Sequence, residues 1–231
     1  MTSLILAAIA FVGTHFLLSH PLRAPIVGRI GAGPFLGLYS LIAAVTLLWM
    51  VFAYCASPPP SIAWEAGKAG WVAATIVMWL ASVLLVGSLI GNPAMPDPTG
   101  AKRPPTEARG VYAITRHPMM WAFMLWSLVH ILIWPTPANS IVAGAVLVLA
   151  LFGSLAQDRK KQVLMGADWA GWEARTSWVP FAALAGGRAR WSHAVPGIGV
   201  LLGGTALWLA ASWAHVPLGG IAAGLWRWWQ I

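Results

Sequence analysis

Two histidines, His15 and His130, lie in long stretches of the chain that carry no charged side chain. An imidazole in such surroundings is costly unless something partners it, and neither has an acidic residue near it in sequence. A hydrogen bond to a neighbouring backbone carbonyl is the ordinary structural answer. The chemical answer is a metal or haem, because neutral imidazole is a common axial ligand and helix bundles present such ligands inward. His20 and His117 stand at the ends of apolar stretches, and His20, just before Pro21, reads as interfacial. In Thr115-Arg116-His117-Pro118, the proline suits the first turn of a helix. Arg116 and His117 are then displayed at a positive helix end, suited to carboxylate or phosphate. A further cluster holds Asp158, Arg159, Lys160, Lys161, Trp169, Trp172, Arg175, Thr176 and Ser177. Lys160 and Lys161 read as a solvated face; Arg159 and Arg175 are expected to join Arg116 in one cationic pocket for a haem propionate or another cofactor carboxylate. No residue stands out as an acid, base or nucleophile. The single cysteine, Cys55, excludes an internal disulfide or a multi-cysteine metal cluster.

The elements that position these residues follow from composition. Of 231 residues, 59% are hydrophobic and only 9% charged, too few charges to cover a water-facing globule. Uncharged runs, each long enough for a bilayer-crossing helix of about 20 residues, predict an all-α, polytopic bundle. Helices are expected near Leu4 to His20, Phe35 to Ala56, Ala69 to Ile90, Pro118 to Trp134, Asn139 to Gln157 and Pro196 to His215. The first run lacks a basic leader and a clear cleavage site, so it reads as a retained helix rather than a signal peptide. Ser57-Pro58-Pro59-Pro60 and Trp134-Pro135-Thr136-Pro137 must interrupt helices. Asp158 to Arg175 reads as an amphipathic helix lying on the membrane surface. With six crossings, twelve of the fourteen lysines and arginines fall in alternate loops. The positive-inside rule then puts both termini outside, and the net charge of +8 serves lipid headgroups and orientation, not nucleic acid.

Gly110-Val-Tyr-Ala-Ile-Thr-Arg-His-Pro-Met-Met, His130, Leu151-Phe-Gly, Asp158-Arg159 and Arg175-Thr-Ser-Trp-Val-Pro-Phe-Ala-Ala occur in that order. Together they closely resemble the NnrU family and the related 15-cis-zeta-carotene isomerases, with Gly13-Thr14-His15 as a looser match. The resemblance implies a membrane protein holding haem b through histidines, with His15 and His130 as ligands and His117 as a further candidate. It also implies cis-to-trans isomerisation of an apolar, lipid-like polyene. The alternative it implies is an accessory or sensor role in nitrite and nitric oxide metabolism. His130 lies thirteen residues beyond His117, or about 20 Å of helix. Hence His15 with His130 and His15 with His117 both stay open as pairings. The Arg-His-Pro region is also similar to membrane methyltransferases that use S-adenosylmethionine, the third reading. Where those carry a tyrosine and a Glu-Glu pair, this chain has Met119-Met120 and Gln157-Asp158. The expected organisation is one NnrU-like transmembrane domain over 1–215 with an interfacial tail over 216–231, in a bacterial inner membrane.

Overall fold

The computed structural model describes residues 1–99 and 102–229, and every regular element among them is helical. Four helices are long and apolar enough to cross a membrane: α1 (Thr2–Ser19), α3 (Ala32–Cys55), α4 (Gly67–Ser88) and α7 (Pro137–Met165). Two shorter apolar helices accompany them, α6 (Pro118–Ile133) and α10 (Ile198–Ala214). The small elements are α2 (Arg23–Ile30), α5 (Val111–Ile114), α8 (Ala167–Arg175), α9 (Ala182–Ala185) and α11 (Trp226–Trp229), with a single 3-10 turn over Trp191–His193.

Proline and glycine set the breaks. Pro118 and Pro137 occupy the first turns of α6 and α7, where a missing N–H costs nothing. The Thr136 side chain caps α7 by accepting from the Asn139 N–H at 3.3 Å. Gly31 (φ +84°) and Gly166 (φ +52°) turn the chain between α2 and α3 and between α7 and α8. The amphipathic helix expected over Asp158 to Arg175 is therefore two pieces. Asp158 to Lys161 continue α7, and only Ala167–Arg175 forms a separate helix. Its apolar face does not lie on lipid: Trp169 and Trp172 are fully buried in a core shared with Leu84, Val111, Tyr112 and Leu184.

The long helices pack as two halves. α1 lies against α3 and α7, α4 lies against α6 and α10, and the α6–α7 contact joins them. Leu4, Ala7, Ala8, Phe11, Met50 and Ala145 fill the first half. In the second, Gly204 brings α10 onto α4 so closely that a Cβ there would stand 2.8 Å from the Val83 Cα, the small-residue packing favoured between membrane helices. Trp79 adds a hydrogen bond to the Thr205 hydroxyl at 3.0 Å. α3 and α4 belong to different halves and flank a cleft instead of packing along their lengths. Leu41, Val45, Leu48 and Phe52 leave one face of α3 exposed and apolar, as lipid requires. Arg23, Arg116, Arg175 and Arg188 gather at one end of the bundle with α2, α5, α8 and α9, and we term it the basic end.

Candidate functional site

The two conspicuous motifs meet at the basic end. The Arg116 N–H donates to the Ser177 carbonyl at 2.9 Å, the Thr115 hydroxyl to the Trp178 carbonyl at 2.8 Å, and the Trp121 indole to the same carbonyl at 2.8 Å. The Phe181 N–H closes the stitch on the Ile114 carbonyl at 2.8 Å. Inside this clasp, Asp158 comes up from α7. One carboxylate oxygen accepts from Arg116 Nε and Nη2 at 2.9 and 2.6 Å, and the other accepts from His117 Nε2 at 2.8 Å. Glu173 stands 3.7 Å from the same guanidinium. Beside it Tyr112, whose hydroxyl donates to the Ser88 and Ile90 carbonyls, has its phenol pKa pushed well above the usual value by burial. Arg116 and His117 are thus occupied by carboxylates of the chain. Arg175 donates to the Gly171 and Pro105 carbonyls and lies over the Trp172 ring, while Arg159 is exposed.

The opposite end holds the main cavity. It has a volume of about 490 Å³ and is lined by α3, α4, α6, α7 and α10 together with the turn after α10. Leu47 and Val51 of α3 and Trp71 and Met78 of α4 line it from two helices that do not pack along their lengths. Its size is that of an ordinary small-molecule or cofactor site. Most of its wall is apolar; its serine and threonine hydroxyls are satisfied locally, Thr75 on the Trp71 carbonyl, Ser82 on the Met78 carbonyl and Ser212 on the Trp208 carbonyl, and Tyr54 is exposed. Two polar features remain. The Trp208 indole N–H is buried without a hydrogen-bond partner. His130 and His215 both face the cavity, their ring centroids 6.2 Å apart and their planes within 25°.

His130 is held firmly. Its Nδ1 lies 2.8 Å from the Trp126 carbonyl one turn back, and its ring stacks on the Trp126 indole at 4.2 Å. The Asn139 amide donates to the His130 and Trp134 carbonyls at 2.7 and 2.8 Å, fixing the end of α6 that carries it. A proton on Nδ1 satisfies the carbonyl and leaves the Nε2 lone pair available, the arrangement found in metal-ligating histidines.

The family profile of the NnrU protein matches residues 3–223. The chain belongs to the NnrU family. It is also similar to the chloroplastic 15-cis-zeta-carotene isomerase of Arabidopsis thaliana, 40% identical over 82 residues, which are 34% of this chain and 22% of that protein. The matched stretch thus spans about a fifth of the plant protein. No solved structure matches.

Within this NnrU chain the expected histidines are separated by depth. His15 lies at the basic end, with Nδ1 2.6 Å from the Phe11 carbonyl and its ring against Tyr39 at 5.4 Å. Tyr39 is eight residues before Leu47, where α3 first meets the cavity; that is about 12 Å of helix. His117 is engaged by Asp158 on the same basic side. The structure brings neither of them to His130. It brings His215 instead, a residue that sequence reasoning used only to end a helix. A signal for it was present: the fourth and sixth expected helices run in the same direction, and each ends on a histidine-bearing turn.

Proposed function

We propose that this NnrU protein is a six-span membrane protein that binds haem b in the His130 cavity and turns a cis double bond of an apolar polyene to trans. The observation that carries the reading is the placement of His130, its Nδ1 on a helix carbonyl and its ring in a largely apolar cavity of haem-like scale. Among the described residues no group of three or more His, Cys, Asp or Glu converges. Two imidazoles underfill the coordination shell of a bare ion, whereas haem supplies four donors of its own. Cations near the same end could meet carboxylate side arms: Arg227 lies over the ring of the cavity residue Trp71 at 3.9 Å, and Lys68 is in the first turn of α4.

Bound haem would supply the electronic assistance for rotation about the double bond, the chemistry borne by the cofactor. The chain's own contribution is positioning and exclusion. Trp126 and Asn139 hold the imidazole, and the apolar walls exclude water. A mouth between α3 and α4, which do not pack along their lengths, would admit a hydrophobic chain from the bilayer without passage through water. The α6 and α10 helices, at 16 and 17 residues, stand at or just under the lower limit of about 17 for crossing a bilayer, and with the four long helices they would make up the six spans. The name of the plant relative supports the substrate class.

The test is conversion of a 15-cis carotene by the purified, haem-loaded and reduced protein, followed by chromatography of the isomers. Trans product formed by the wild type but not by His130→Ala is expected. Haem bound with no change in the polyene would sink the isomerase reading and favour a non-catalytic haem role.

A further inference from the structure

We infer that His215 is the second protein ligand of the cofactor held at His130, and that His15 is not; the inference rests on the haem reading above. The surroundings of the histidines separate them. The Nε2 of His117 is taken by Asp158 at 2.8 Å. His193 forms the 3-10 turn, where its carbonyl accepts from the Gly110 N–H at 2.7 Å, and it lines a separate depression with Arg109 and Pro196. His20 closes the basic end of α1, its ring over Phe16. His15 is at the level of Tyr39. Only His130 and His215 line the main cavity.

The pair shares a tautomer as well as a place. Nδ1 of His215 lies 2.8 Å from the Ala211 carbonyl, one turn back on α10, matching His130 on the Trp126 carbonyl. Both rings therefore keep a free Nε2. Their carriers are rigid relative to each other, because α6 and α10 pack on the same helix, α4. The turn after α10 fixes His215 further: the Gly220 N–H donates to the His215 carbonyl at 2.6 Å, and a Cβ at Gly220 would stand 2.9 Å from that oxygen. Two neutral imidazoles from two helices, held 6.2 Å apart at their centroids across an apolar cavity, suit axial ligation of one iron.

The experiment is oxidised visible and electron paramagnetic resonance spectroscopy of the full chain, purified in detergent from haem-supplemented cells, as wild type, His215→Ala, His215→Gln and His15→Ala. A low-spin wild type is expected. Both His215 variants should retain haem but become high-spin, and added imidazole should restore the low-spin signal, which an unfolded protein cannot do. His15→Ala should match the wild type. A low-spin spectrum in the His215 variants, or a high-spin one in His15→Ala, overturns the ligand assignment while leaving haem binding standing. A colourless wild type overturns the haem reading and the assignment with it.

Discussion

Asp158 is the residue on which the basic end turns, since it is a single carboxylate serving two buried partners. With side-chain exposures of 14% for Arg116 and 1% for His117, neither partner can turn to water if the carboxylate is removed. Breaking a buried pair leaves an uncompensated charge, a loss of about 3–5 kcal/mol. Glu173, at 3.7 Å, offsets part of it. Asp158→Ala should therefore lower the thermal unfolding temperature in detergent markedly, whereas Arg159→Ala, at an exposed position, should change stability by no more than about 0.5 kcal/mol. Equal effects would show that the clasp holds nothing. Arg116 and His117 were legible in the sequence as a pair displayed at a helix start. Their partner was not, because Asp158 is 42 positions from Arg116 and its register depends on how far α7 continues. The same limit applied to the propionate cations: basic residues stand out in a sequence, but the carboxylates and carbonyls that occupy them are set by packing.

Apolar run lengths and proline breaks located five of the six main helices to within a few residues at both ends, and the sixth, α7, at its start, since those signals are local. The misjudged element was the one past Gln157, where a change in polarity suggested a new helix. The chain instead carries α7 on to Met165 and breaks at Gly166, whose φ of +52° favours glycine. There is open space around Gly166, so Gly166→Ala tests the backbone alone. It should cost about 1–2 kcal/mol, the left-handed penalty for an L-residue, seen as a lower unfolding temperature. Contact, not backbone, governs Gly204, where the added carbon would meet the Val83 backbone. Gly204→Val should destabilise by about 1–3 kcal/mol through overpacking. Gly199→Ala on the same helix, with nothing within 4 Å, should be neutral or stabilising by up to about 1 kcal/mol. Because α10 ends at His215, Gly204→Val should also disturb the His130–His215 pair, read as loss of the low-spin spectrum in haem-loaded protein. An unaltered spectrum beside a lowered unfolding temperature would mean that α10 shifts without moving its end.

At the scale of the molecule, the two ends of the bundle have divided the work. The basic end is a network of buried ion pairs and carbonyl contacts that fixes helix register, and the far end holds the cavity and the histidine pair. Twelve of fourteen cations fall in the short helices, loops and helix ends that follow α1, α4 and the apolar part of α7, so under the six-span proposal the positive-inside rule predicts a cytoplasmic basic end. On that prediction the cavity would face the outer half of the bilayer, and an apolar ligand would enter from the outer leaflet. Nature has left a probe for this orientation. Cys55, the only cysteine, is exposed at the last residue of α3, next to the cavity residue Tyr54. In intact cells a membrane-impermeant maleimide should label Cys55 without permeabilisation. In a Cys55→Ser background, a cysteine replacing the exposed Arg29 of α2 should react only after the membrane is opened. The reverse pattern would invert the bundle, place the cavity in the inner leaflet and move the source of its ligand to the cytoplasmic side, without changing the separation between clasp and cavity.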